Sequence, residues 1–108
     1  MVEIEEIAAV SQFDEIIREK CALIDFFAEW HMQCLTQAPI IEDVFEKFKG
    51  KLKVCRVNVD ESGEIASRCN VGSLPSVLIF REGKEVCRMN GCFQQEEIEE
   101  RISALLKL

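Results

Sequence analysis

The chain has 108 residues, 48% of them hydrophobic, and a formal net charge of −7. That is enough apolar material for a real core in one compact domain, residues 1–108, and it argues against disorder. The acidic balance argues against a nucleic-acid surface or an anionic membrane surface, since both need clustered Lys and Arg.

Val2–Ile7 alternates as a short strand. Ser11 reads as an N-cap, with Asp14 three residues on, for a helix to about Lys20. Ala22–Phe27 is a nearly continuous apolar run, the pattern of a strand buried on both faces. Cys34–Lys49 is helical, with Ile40, Ile41, Val44, Phe45 and Phe48 at helical spacing. Pro39 lies inside it and should kink it. Leu52–Val59 is a strand and Ser62–Cys69 a short helix. Ser76–Phe80 and Lys84–Met89 form a hairpin across Arg81-Glu82-Gly83. Gln94–Lys107 is a helix with Ile98, Ile102, Leu105 and Leu106 on its apolar face. The order β-α-β-α-β-α-β-β-α predicts an α/β fold, a mixed central sheet with helices on both faces.

No apolar run approaches the roughly 20 residues of a membrane span. The first residues, MVEIEEIAAV, carry acids where a signal peptide needs positive charge, so the expected location is cytoplasmic. Six cysteines lie at 21, 34, 55, 69, 87 and 92. An even count raises a disulfide framework, but nothing marks the chain for secretion, and the core looks large enough to need no staples. Cys55 and Cys87 sit in strand contexts, where a free Cys serves as a small buried hydrophobe. No C-x-x-C pair occurs, which argues against a zinc knuckle. No cofactor and no metal are expected.

Residues 22–39, ALIDFFAEWHMQCLTQAP, carry most of the information. An apolar strand bears one acid, Asp25; Trp30, a tight turn, Cys34 and Pro39 follow. The segment resembles the active-site region of the thioredoxin family, whose pattern is D-F-(W/F)-A-x-W-C-x-x-C-(x)4-P. Asp25, Phe26, Ala28, Trp30, Cys34 and Pro39 fall on it. The resemblance continues through Val59-Asp60, Ser73-Leu74-Pro75-Ser76, Glu82-Gly83 and Gly91, and so spans essentially the whole chain. It implies the thioredoxin fold. One position departs: His31 stands where the family has its attacking cysteine, so C-x-x-C has become H-x-x-C.

The resemblance implies a cis Pro75 facing the active-site turn, with Leu74 offering backbone hydrogen bonds to an extended substrate chain; the bland alternative is a strand-start proline. The residue matching Asp25 passes protons to and from the second cysteine through water in the family. By itself, a carboxylate in a buried strand must be partnered, hydrated or protonated. The bland alternative to the proton role is a structural Asp paired with Arg56. The resemblance, in which a lysine often stands at that position, implies Arg56 as the partner. Cys34 matches the resolving cysteine and is expected to be partly shielded, a poor first nucleophile; alternatively it is an inherited thiol with no task. The helix N-terminus around His31 disfavours a protonated imidazole. His31 is open to three roles: base for a nearby thiol, metal ligand with Cys34, or inert surface residue. Two ligands do not complete a zinc site. Cys92 follows Gly91 in a loop that borders the active-site surface in the family. It is either a substitute reactive thiol near His31 or a chance exposed one. Cys69, at the end of the third helix, is a weaker candidate near the same face. Trp30 and Phe27 flank the site, and a Trp beside a shallow groove suits a partner-binding surface.

Two readings follow. One is atypical thiol–disulfide exchange on protein substrates, through Cys34 alone or through a relocated thiol at Cys92, with a thioredoxin reductase-type donor. His31 and Cys34 cannot run a dithiol cycle, which needs one thiolate to attack and a second to resolve. The other is a redox-inactive binding module using the groove of Trp30, Pro75 and Gly91. A first-cysteine variant engineered into an ordinary C-M-Q-C chain has the same sequence.

Overall fold

The computed structural model describes residues 4–107. In chain order the elements are β1 Glu5–Glu6, α1 Val10–Ile16, β2 Ala22–Phe27, α2 Met32–Lys47, β3 Lys53–Asn58, α3 Gly63–Arg68, β4 Ser76–Arg81, β5 Lys84–Asn90 and α4 Gln95–Leu106. The strands form one mixed sheet in the order β1-β3-β2-β4-β5. β3 runs parallel to β1 and β2, while β4 is antiparallel to β2 and β5.

Strand alternation divides the core in two. Ala22, Ile24 and Phe26 of β2 face one side, with Phe13 and Ile16 of α1 and Ile65 and Ala66 of α3. Leu23 faces the other, with Ile41 and Val44 of α2 and Ile98 and Ile102 of α4. β2 is therefore buried along its whole length. By the same alternation Asp25 lies on the α2 side, and its register partner on β3 is Arg56.

Several boundaries differ from the sequence expectation. The first strand is only Glu5–Glu6 among the described residues; Val2 and Glu3 lie outside them. Ser11 is not the cap of α1, because Ala9 holds the N-cap position and no side chain caps it. α1 stops at Ile16 rather than near Lys20. The carbonyl of Ile17 accepts from the Gly83 N–H (2.7 Å), and that of Glu19 from the Glu82 N–H (3.0 Å). The segment after α1 thus serves the β4–β5 turn. That turn has two residues, Glu82 and Gly83, both at positive φ (50° and 90°), which matches the right-handed twist of the paired strands.

α2 starts at Met32, two residues before Cys34, and runs continuously through Pro39. Burial of Gln37, Ile41 and Val44 against the sheet offsets the donor lost at the proline. Cys87 is half-buried rather than buried, because β5 is the sheet edge and exposes most of one side. Among the described residues no helix is long and apolar enough to cross a membrane.

Candidate functional site

The β2–α2 junction is built by backbone hydrogen bonds. The His31 N–H donates to the Ala28 carbonyl (3.3 Å), closing a tight turn over Glu29 and Trp30. His31 is the N-cap of α2, and its carbonyl accepts from the N–H groups of Cys34 (3.1 Å) and Leu35 (3.3 Å). Its ring makes no capping bond. Nδ1 is enclosed and has no hydrogen-bond partner, and the ring lies tilted 5.4 Å from that of Trp30.

The Trp30 indole N–H donates to Asp60 Oδ2 (2.8 Å) while the residue stays 68% exposed. Met32 and Leu35 on the first turns of α2 are exposed too, so apolar surface surrounds the helix N-terminus. Phe27 flanks the site as a buried wall of it rather than as exposed surface, lying beneath Arg56, whose guanidinium carbon sits 3.7 Å from the ring centroid.

Cys34 faces inward and is 2% exposed. Burial pushes its thiol up; the Ala28 backbone opposes that, the Asp25 carboxylate adds to it, Arg56 opposes it, and a negative charge on Cys92 adds further. The four side chains Cys34, Asp25, Arg56 and Cys92 therefore share one electrostatic neighbourhood. Asp25 is fully buried. Its Oδ2 accepts from Arg56 Nε (3.2 Å), the partner anticipated from the sequence, and its Oδ1 has none. Burial outweighs Arg56 and pushes the carboxyl up to about 6. A pocket of about 210 Å³ opens beside this group, between Phe27, Ala28, Cys34, Ala38 and Arg56.

On the other side of the site the Leu74–Pro75 peptide is cis, and the Pro75 carbonyl accepts from the Gly91 N–H (2.7 Å). Gly91 has φ +99°, a conformation that L side chains rarely adopt. Cys92 follows, half-buried. Cys69 does not join the group. It is buried in the core on the α1 and α3 face, across the sheet from α2. Among the described residues no cluster of three or more His, Cys, Asp or Glu side chains is placed to hold a metal ion.

Sequence reading missed Gln37. It is fully buried on α2, one turn beyond Cys34, and its amide holds the backbone of Phe93 on both sides. The available signal was a polar residue four positions before Ile41, on the apolar stripe of the helix.

The family model described as thioredoxin matches residues 5–104. The chain is 32% identical over 100 residues to the chloroplastic thioredoxin Y of Oryza sativa subsp. japonica, covering 91% of this chain and 60% of that one. It is 38% identical over 64 residues to thioredoxin 1 of Nostoc sp., covering 59% of this chain and 60% of that one. These matches thus span about 60% of either relative's length. Among solved structures, thioredoxin from Trypanosoma brucei brucei superposes with a TM-score of 0.90 at 26% identity, covering 99% of this chain and 94% of that one.

Proposed function

The chain belongs to the thioredoxin family, and on that premise we propose that this single domain, residues 1–108, carries out thiol–disulfide exchange on protein substrates, with Cys92 as the attacking thiol and Cys34 as the resolving one. The observation that carries the reading is the pairing of a shielded thiol with an accessible one. Cys34 is enclosed, Cys92 is half-buried, and a charge on Cys92 is felt at Cys34.

The cycle runs in two displacements. His31 takes the proton of Cys92 through Nε2 or a bridging water, since its Nδ1 is enclosed and makes no bond to that thiol. The Cys92 thiolate attacks the substrate disulfide, a Cys92–substrate bond forms, and the departing sulfur receives that proton. Cys34 then loses its proton to Asp25 and attacks the Cys92 sulfur. The bond to substrate breaks, the Cys34–Cys92 disulfide forms, and Asp25 returns the proton to the second departing sulfur. Two electrons pass to the substrate. A dithiol donor of the thioredoxin reductase type restores the pair. A carboxyl pushed up to about 6 is suited to hold and release a proton near neutrality.

The substrate chain lies over Trp30, Met32, Leu74, Pro75 and Gly91, beside the exposed apolar side chains of Trp30 and Met32. Six free thiols suit a reducing compartment such as the cytoplasm. The exposure of Trp30, Met32 and Leu35 also favours a second reading, a docking module without chemistry.

Reduction of insulin disulfides with dithiothreitol as donor separates the readings. The exchange reading predicts a rate above the reagent background, lost in both Cys92→Ser and Cys34→Ser. Full activity in Cys92→Ser would assign the chemistry to Cys34 alone. Background activity in the unmodified protein would leave the docking module.

A further inference from the structure

A buried primary amide on an apolar helix face needs partners, since leaving it unpaired in the core is costly. Gln37 is fully buried and satisfies both ends of its amide on one residue. Its Nε2 donates to the Phe93 carbonyl (3.0 Å), and its Oε1 accepts from the Phe93 N–H (2.8 Å). The two bonds close a ring, as a neighbouring strand would do. A leucine or methionine would fill similar space without asking where the Phe93 peptide lies. The amide asks for one position and one orientation.

Phe93 immediately follows Cys92, and Gln37 is one turn from Cys34 on the same helix. The other side of Cys92 is pinned as well. Gly91 donates to the Pro75 carbonyl (2.7 Å), and Asn90 Oδ1 accepts from the Ser76 hydroxyl (3.2 Å). The Phe93 ring packs against the α2 and α4 core, with the Arg101 guanidinium 5.5 Å from its centroid. Cys92 is thus the one residue between two fixed points, and one of those points is set by the helix that carries Cys34.

We propose that Gln37 is the positioning residue of the thiol pair, holding the Cys92–Phe93 backbone on α2 so that Cys92 stays within reach of Cys34. The proposal rests on the exchange reading given above. An amide does not titrate, so this hold is constant across the pH range in which the thiols and Asp25 change charge. That separates it from the acid–base work assigned to His31 and Asp25.

The test is the equilibrium of the Cys34–Cys92 disulfide in a glutathione redox buffer, read by peptide mapping of the intact protein. The variants are Gln37→Met, which keeps the volume, and Gln37→Glu, which keeps the shape and removes the donor. Each is checked for native circular dichroism, and either one suffices if the other fails to fold. The proposal predicts that the effective concentration of the two thiols falls at least about tenfold in a folded variant, while alkylation of Cys92 is as fast as before or faster. A merely structural glutamine would lower the melting temperature and leave the disulfide equilibrium unchanged, and that result overturns the proposal while the exchange reading stands. If the unmodified protein forms no such disulfide, the exchange reading fails, and bridging of the two thiols by dibromobimane then decides the placement. Bridging lost in the variants supports the role of Gln37; bridging that is equal or absent in all overturns it.

Discussion

Asp25 and Arg56 meet through one oxygen only: Arg56 Nε lies 3.2 Å from Oδ2, and Oδ1 is buried with no partner. Half of the carboxylate has left water without compensation. Its pKa is accordingly raised from 3.8 to about 6, with burial outweighing Arg56. The unfolded chain therefore loses this proton at lower pH than the folded one. Below about pH 4 the group is protonated in both states and costs nothing. As pH rises through the window from 3.8 to about 6 the destabilisation grows, and above it is complete. Asp25→Asn should stabilise the fold at pH 8 by up to about 3 kcal/mol, and the gain should shrink towards zero at pH 4. Arg56 is partly exposed and keeps water as a partner. Denaturant melts at both pH values check this. A loss of stability at pH 8, or a gain independent of pH, would show that the carboxylate anchors a satisfied network.

Restoring cysteine at position 31 should produce a dithiol site. His31 is the N-cap, and Cys34 donates its N–H to the His31 carbonyl (3.1 Å), so both residues lie on the first turn of α2. His31→Cys should form a 31–34 disulfide on oxidation and raise insulin reduction by about tenfold or more. A folded variant in which residues 31 and 34 stay unpaired would contradict this geometry.

Thiol accessibility divides the cysteines. Cys55 is fully buried, and burial pushes its thiol to about 11; Cys21, Cys34 and Cys69 are also buried and raised. Timed iodoacetamide labelling at pH 7 should mark Cys92 first, with half-buried Cys87 the nearest competitor and Cys55 last. His31→Ala should slow Cys92 severalfold and leave Cys55 unchanged. Cys34 labelling ahead of Cys92 would remove the basis for the proposed order of attack.

Trp30 combines an exposed indole with one hydrogen bond to Asp60. Trp30→Ala should cost no more than about 1 kcal/mol of stability, since little is uncovered. It should raise KM for a protein disulfide by about tenfold with a smaller change in kcat. A kcat effect alone would place the indole in the chemistry instead.

Much of this architecture was legible in local pattern. The apolar run of β2, the helical stripe through Ile41 and Val44, and the hairpin at Glu82-Gly83 each follow from periodicity or turn chemistry. The Asp25–Arg56 pair was legible because an acid in a buried strand needs a partner, water or a proton, and the family resemblance places a cation at position 56. What escaped depended on partners distant in sequence. α1 ends early because the hairpin turn, more than sixty residues on, takes the carbonyls of Ile17 and Glu19. Cys69 was a weaker candidate because it ends the third helix near the site face, but the sheet separates it from α2. Gln37 drew no notice in the sequence, because both of its partners lie on Phe93, more than fifty residues on.

The most direct test of the central claim is trapping of the mixed disulfide. Cys34→Ser, reduced and then presented with a disulfide-bearing protein, should accumulate a covalent complex that peptide mapping locates at Cys92. Cys92→Ser should trap none. Capture through Cys34 in the Cys92→Ser protein, with none at Cys92 in the reciprocal variant, would contradict the account.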